Sequence, residues 1–172
     1  VVAISSNATC NTSRPLAATE VSGSGAYRIN INSDVAKFRL CFRTSNPYAH
    51  LTTEDGQRTP YGAKTVLLNN NGINQTFNYV DRSQPGVGDI WYEAMTYKTS
   101  LDQIGVNPIR TGNNRIRLIY PSQECLRPDG TPWSCAWRSG KIVIKDSHAA
   151  RFGTTVHELA HQVDFKFGKS RG

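Results

Sequence analysis

The sequence contains no apolar run that approaches the roughly 20 residues needed to cross a membrane as a helix. It also lacks a charged leader, because no Lys or Arg precedes the short apolar start VVAI. We therefore predict a chain with no membrane span, from which any signal peptide has already been removed. The 172 residues are enough for a domain with its own hydrophobic core.

Acidic residues are scarce, and clustered basic residues are missing. Lys and Arg number 20 against 13 Asp and Glu, which gives a net charge of +7. These cations are spread along the chain, and there is no Lys/Arg block or RNA-binding motif of the kind that marks a nucleic-acid binder. We therefore predict no nucleic-acid partner, and we interpret the charge as favouring solubility and attraction to anionic surfaces or substrates.

The cysteines lack the C-x-x-C spacing of zinc knuckles and thioredoxin-like sites. There are four, at positions 10, 41, 125 and 135. An even number of scattered cysteines suits two disulfides, and proximity along the chain pairs Cys10 with Cys41 and Cys125 with Cys135. This predicts a secreted, extracellular protein; the alternative is four reduced, buried thiols in a cytosolic one.

The first half of the chain has the patterns of β-structure. Residues 1–25 are rich in small and polar residues and predict an irregular arm tied down by Cys10. AYRININ and AKFRLCFRT alternate apolar and polar residues around a turn-forming SD, which predicts a hairpin. Two further strands are predicted in KTVLLNNNG and QTFNYV. Residues 1–85 are thus predicted to form a β-rich N-terminal region.

From Asp89 the apolar spacing becomes helical. Asp89 is suited to cap a helix that Gly105 would end. The strands RIRLIY and KIVIKD follow, separated by a loop rich in Pro, Gly and Trp. A last helix is predicted from Val156 to Phe167, capped by Thr154 or Thr155 and ended by Gly168. The expected fold class is α+β, with residues 86–172 as the second region.

The last helix carries the motif HELAH. His157 and His161 stand at i and i+4, so both imidazoles project from one helical face, as needed to hold a single Zn²⁺ ion. Glu158 is placed beside the ion, where it can act as general base toward a water that the metal activates. The alternative is a histidine pair on a surface helix with Glu158 as a solvated charge.

The order helix, strand, loop, strand and HELAH helix resembles the N-terminal subdomain of zincin metallopeptidases. The resemblance implies a backing helix, a twisted sheet, an edge strand that aligns the substrate, and an active-site helix. In that comparison KIVIKD corresponds to the edge strand, whose free side would bind an extended peptide by strand addition. The alternative is an interior strand that is already paired on both sides.

Among zincins, HELAHQVD is similar to the motif of the anthrax lethal factor-like peptidases and Pro-Pro endopeptidases, in which an Asp follows the second histidine by three positions, as Asp164 does here. That resemblance implies a third ligand Glu on a later helix, with a nearby Tyr, and no residue follows Gly172 to supply either. The chain departs from metzincins, because Asp164 and Phe167 stand where that group has Gly and His or Asp.

The third zinc ligand has three possible sources. Asp164 lies a full turn beyond His161, so we interpret it as a residue that supports a ligand or forms a salt bridge. His148 precedes the helix and is a second possibility. We expect the third source, a C-terminal subdomain absent from this chain.

The predicted function is that of a secreted zinc endopeptidase acting on proteins or peptides. His157 and His161 would hold Zn²⁺, and Glu158 would be the general base. One alternative is a secreted zinc-binding or adhesion module of zincin-like shape without turnover, and another is a basic protein that binds an anionic polymer. Trp133 and Trp137 are interpreted either as substrate contacts or as packing beside Cys135. The oligomeric state is not predicted.

Overall fold

The protein is mixed α+β in a computed structural model. The structure describes residues 2–5, 7, 8, 10, 14–19, 27–31, 37–56, 60–67, 86–109, 115–149, 151 and 153–168. In chain order the elements are β1 (Val2–Ser5), β2 (Ala17–Ala18), β3 (Lys37–Arg43), β4 (Ala49–Thr52), β5 (Pro60–Leu67), α1 (Val87–Gln103), β6 (Ile116–Ile119), β7 (Cys135–Ala136), β8 (Lys141–Val143), α2 (Asp146–Ala149) and α3 (Thr154–Phe167).

The chain divides into two compact units. The first comprises residues 1–43 and 60–84, and the second comprises residues 44–59 and 85–172. Residues 44–59, which the sequence analysis places in the N-terminal region, therefore cluster with the second unit and contribute β4 to its sheet. In the part of the chain that the structure describes, no helix has the length and apolar character needed to cross a membrane.

The first unit contains an antiparallel sheet of four strands in the order β2-β1-β3-β5. Strand β3 is buried on both faces, because Phe38 and Leu40 pack with Ala3 on one side while Cys41 packs with Ile4 on the other. Successive side chains of a strand point to opposite faces of the sheet. Burial on both faces is therefore expected of a central strand that has apolar residues in both alternating sets.

The predicted hairpin is not formed. Residues 27–31 are not in a strand, and β3 pairs instead with β1, from the segment predicted to be an irregular arm. Ile29 and Ile31 still pack against the cluster that contains Phe38, so their burial follows the sequence pattern although their pairing does not. Alternation specifies which side chains face a core, and it leaves the partner strand open.

Cys10 and Cys41 form a disulfide, as predicted. Two arginines of β3 also hold the segment before Cys10, since Arg39 donates to the carbonyl of Ala8 and Arg43 to that of Cys10, at 3.2 and 2.6 Å. The strand predicted in KTVLLNNNG overlaps β5, which begins earlier, at Pro60. The strand predicted over residues 75–80 lies outside the described residues.

The second unit contains a mixed sheet in the order β4-β6-β8-β7. Strands β4, β6 and β8 are parallel, and β7 is antiparallel to β8. Strand β8 is therefore paired on both sides, and the alternative of an interior strand for KIVIKD is the correct one. The sheet edge next to it is β7, Cys135–Ala136. The continuous apolar run Ile142, Val143 and Ile144, in and directly after β8, fits a parallel strand covered on both faces.

Helix α1 confirms the predicted helix and differs from it at its start. Its N-cap is Gly86, with φ 94°, and Asp89 lies in the first turn. The helix continues unbroken through Ser100. It ends as predicted: Gly105 has φ 68°, its N–H donates to Asp102, and the N–H of Val106 donates to Leu101, which is a Schellman end.

The loop before β8 is clipped by the predicted disulfide between Cys125 and Cys135. Inside it, residues 125–135 form a small hairpin that we call the clipped loop. The N–H of Trp133 donates to the carbonyl of Cys125 at 2.8 Å, and that of Arg127 donates to Thr131 at 2.9 Å. The disulfide and these backbone bonds hold the two sides of the clipped loop in one register.

Candidate metal centre

Helix α3 is held at its N-terminus by a side chain from another helix. It begins at Thr154 after Gly153, whose φ is 89°, and no side chain of its own caps it, so the predicted Thr cap is wrong. Instead Glu93 of α1 accepts hydrogen bonds from the N–H groups of Gly153 and Thr155, at 2.9 and 3.0 Å. Glu93 is only 5% exposed. Its charge also suits the positive end of the helix dipole.

His157 and His161 come together on the outer side of α3. Their ring centroids are 4.8 Å apart, with the ring planes at 85°. His157 is exposed and His161 is half-buried. Neither ring donates to or accepts from a described residue. Since an i, i+4 pair of imidazoles with free nitrogens is a common two-ligand element of zinc sites, the pair is suited to share one ion.

Glu158 lies between the two histidines in sequence but faces inward. It is 4% exposed, on the buried side of α3 with Leu159 and Gln162. Burial raises the pKa of its carboxyl above the ordinary value, while the nearby His157 and His161 oppose that shift. Its carboxylate makes no hydrogen bond to a described residue. A buried carboxylate whose pKa is raised is suited to accept a proton.

Phe165 restrains the second histidine. It lies one turn after His161, and the two rings stack with centroids 6.0 Å apart and planes at 21°. The guanidinium of Arg138 lies over the Phe165 ring, 5.7 Å from its centroid. One side of the His161 imidazole is thus covered, which limits its rotation about the Cβ–Cγ bond.

Gln162 ties α3 to the end of the sheet edge. It is 1% exposed, and its Nε2 donates to the carbonyl of Trp137 at 3.0 Å. Trp137 directly follows β7 and begins the turn to β8, which closes with the N–H of Gly140 donating to Trp137. The histidine helix and the edge strand are therefore connected by a buried hydrogen bond.

The two residues considered as a third ligand are not in position to serve as one. His148 is buried in α2, where its Nδ1 is 2.9 Å from Oγ of Ser134 and its ring lies edge-on to Trp133 at 4.6 Å. Asp164 is exposed. Over the described ranges, no three His, Cys, Asp or Glu side chains converge to hold a metal ion.

The two tryptophans considered from the sequence differ in exposure, and Asp146 of α2 makes a hydrogen bond to another element. Trp133 is 39% exposed, so it is only partly packing, and Trp137 is half-buried. Asp146 begins α2 and accepts a hydrogen bond from the Tyr120 hydroxyl at 2.7 Å. It therefore connects α2 to the end of β6, and no contact joins it to a histidine of α3 in the described part of the chain.

Two contributors to the site were missed from the sequence. Glu93 carries a signal that was available, because it falls among Ile90 and Ala94 on the apolar face of α1, where an unpaired charge is costly. A charged residue at such a position indicates a buried partner. Gln162 carries no comparable signal, since a glutamine beside a histidine is as common on a surface.

Comparison with protein-family models, with curated proteins and with solved structures finds no match to this chain.

Proposed function

We propose that the protein is a secreted zinc-dependent endopeptidase with a zincin-like arrangement of its second unit. The observation that carries the proposal is the placement of His157 and His161 with free ring nitrogens, 4.8 Å apart between centroids, around a buried Glu158. Two imidazole nitrogens with an adjacent buried carboxylate are elements of a hydrolytic zinc site.

The donor set fits Zn²⁺ in part. Two imidazoles on one helical face are borderline-soft nitrogen donors of the kind that zinc prefers. The third ligand of the proposed site lies outside the residues that the structure describes. Zinc held by two histidines and solvent binds weakly, so the activity of any form depends on whether it includes that ligand.

In the proposed reaction, bound zinc would act as a Lewis acid that polarises the scissile carbonyl and lowers the pKa of water. Glu158 would take the proton from the attacking water and pass it to the leaving amine. Its buried position keeps the carboxylate away from bulk water, so the proton is held near the reacting atoms. Glu93, by fixing the first turn of α3, would keep His157 and Glu158 in place.

The substrate would bind along β7. This strand pairs with β8 on one side, and no described strand pairs with its other side. An extended peptide can add to such an edge through backbone hydrogen bonds. The bond from Gln162 to Trp137 supports this assignment, since it joins the strand end to the helix that carries the histidines.

Secretion is supported by the disulfides. Each of the two units contains one, Cys10–Cys41 in the first and Cys125–Cys135 in the second. Disulfides persist mainly in oxidising compartments outside the cytosol.

The second candidate is a secreted zinc-binding or adhesion module without turnover. It is favoured by the lack of any three-ligand group within the described residues. A module of this kind would keep the histidine pair for metal-dependent contacts, and Glu158 would have no role in it.

The experiment that separates the two candidates is Glu158→Gln in the longest naturally secreted form, with bound zinc and cleavage of a mixed peptide library measured together. We expect zinc to be retained, because both histidines remain, and cleavage to fall by about 100-fold or more, as loss of a general base predicts.

Glu124→Gln is the matched control. Glu124 is an exposed carboxylate that pairs with Lys141, so the same chemical change there should leave cleavage nearly unchanged. An unmutated long form that binds zinc but cleaves no peptide would reject the enzyme and leave the binding module.

A further inference from the structure

A stacked cation and tryptophan stand on the clipped loop. The guanidinium of Arg127 lies 3.4 Å from the ring centroid of Trp133. Leu126 and Pro132 are bridged across the hairpin, so Arg127 and Trp133 are diagonal neighbours on one face of it. Stacking holds the guanidinium flat on the indole and leaves the donors at its edge directed outward.

Two more cations lie near the histidine that packs against the same indole. His148 packs edge-on against Trp133, and it is the middle residue of a hydrogen-bonded series. Its N–H donates to Lys145, and the N–H of Arg151 donates to His148, at 2.9 and 3.0 Å. The N–H of Lys145 also donates to Oγ of Ser134 at 3.0 Å, and the same Oγ is 2.9 Å from Nδ1 of His148. Lys145 and Arg151 therefore flank His148.

We call Arg127, Lys145 and Arg151 the basic cluster. Their closeness to His148 is also seen in its pKa, which is lowered by burial and then by Arg151, Lys145 and Arg127. Among the described residues, no carboxylate forms an ion pair with any of the three.

Two acidic groups of this region have hydrogen-bond partners outside the basic cluster. Asp129 accepts hydrogen bonds from the N–H and hydroxyl of Thr131, at 2.9 and 2.6 Å, and its pKa is lowered mainly by them and further by the charge of Arg127. Asp146 accepts from Tyr120. Three like charges near His148 repel each other, and an anion placed among them would relieve that repulsion.

We propose that the basic cluster around Trp133 is a subsite for the carboxylate of an acidic side chain in an extended peptide. Arg127, stacked and with its donors outward, would bind the carboxylate in a bidentate way. Lys145 and Arg151 would add longer-range attraction.

The position of the cluster relative to β7 indicates an acidic peptide. Trp133 precedes Cys135 by two residues and is fixed to Cys125 by a backbone hydrogen bond and the neighbouring disulfide. A peptide added to the β7 edge would therefore extend beside Trp133. The role of this peptide as a substrate rests on the proposed function, whereas the anion site rests on the basic cluster.

The test is equilibrium binding of two fluorescent peptides of identical length, one with alternating Glu residues and the other with Gln in their place. Wild type, Arg127→Gln, Arg151→Gln and Arg117→Gln are compared by fluorescence anisotropy. Arg117 is an exposed residue of β6 outside the cluster, so it controls for the loss of one positive charge. A sulfated polysaccharide is titrated in parallel.

We expect wild type to bind the Glu peptide at least about tenfold more tightly than the Gln peptide. Arg127→Gln and Arg151→Gln should each reduce that preference by about threefold to fivefold, and Arg117→Gln by much less. The preference should weaken as salt is raised.

Equal loss in all three variants would overturn the proposal, because it would show a general effect of net charge. Binding of the polysaccharide that depends on Arg127, without a preference for the Glu peptide, would also overturn it. Cleavage with no preference for acidic peptides rejects the subsite and leaves the peptidase. Selective binding without cleavage rejects the peptidase and leaves the subsite.

Discussion

The two histidines of α3 and the histidine of α2 lie in opposite environments. His157 and His161 lie toward the outside of α3 and make no hydrogen bond to a described residue. His148 is 5% exposed, bonded to Ser134 and packed against Trp133. A histidine with free nitrogens is available to a ligand, whereas one whose nitrogen already has a buried partner is held in the fold.

The charged residues near the histidines of α3 and near His148 differ in sign. Around α3, a carboxylate lies close to the imidazoles, in Glu158, and a second carboxylate, Glu93, fixes the helix start. The charged residues that affect the pKa of His148 are all cations, and they lower it. One region is thus suited to a cation, and the other is suited to an anion.

The largest expected effect separates the two kinds of histidine directly. His161→Ala should lower zinc affinity by more than about 100-fold, because loss of a supporting residue alone costs 10 to 100-fold and this change removes a ligand. His148→Ala should leave zinc affinity within about twofold. Calorimetric titration of zinc into both variants, after circular dichroism shows that each is folded, makes the measurement.

Unchanged zinc affinity in His161→Ala would show that the pair on α3 is not the metal site. A comparable loss in His148→Ala would show that α2 contributes to it, contrary to the environment of that ring.

Several elements could be predicted from the sequence because they are specified locally. The end of α1 depends on Gly105, whose left-handed backbone disfavours other residues. The two disulfides follow from separations of 31 and 10 residues, which leave each cysteine a nearby partner. The positions of His157, Glu158 and His161 on one helix follow from its 3.6-residue period.

The elements that were mispredicted depend on contacts between distant segments. Strand β1 takes the place beside β3 that the hairpin assigned to residues 27–31, and β4, for which no strand was predicted, pairs with β6. The interior position of β8 was indicated by the unbroken apolar run at Ile142, Val143 and Ile144, which is typical of a strand covered on both faces. Pairing partners are tertiary information that a strand pattern does not contain.

The next effect in size tests the support of α3. Glu93→Ala should lower the free energy of unfolding by about 3 kcal/mol, because it leaves the N–H groups of Gly153 and Thr155 buried without an acceptor. Asp102→Ala is the control on the same helix, where the exposed carboxylate pairs with Lys98 and should contribute less than about 1 kcal/mol. Urea unfolding of the metal-free protein measures both. Equal, small losses would mean that solvent replaces Glu93 as the helix cap.

The smallest effect concerns the pH dependence of His148. Burial lowers its pKa below the ordinary value, assisted by Arg151, Lys145 and Arg127, so the folded protein binds a proton there less readily than the unfolded chain does. The stability that the neutral ring contributes is therefore fully present above about pH 6.5, and it declines as the pH falls from there toward the lower folded pKa. The measurement needs a variant that removes only the His148 proton. His148→Gln keeps an amide able to bond Ser134 and cannot be protonated. With metal removed, wild type should lose stability relative to His148→Gln between pH 7 and pH 5, as measured by urea unfolding at each pH.

A difference between the two proteins that stays constant over that interval would mean that His148 titrates as an exposed histidine does, and the contrast between α2 and α3 would then lie in packing alone.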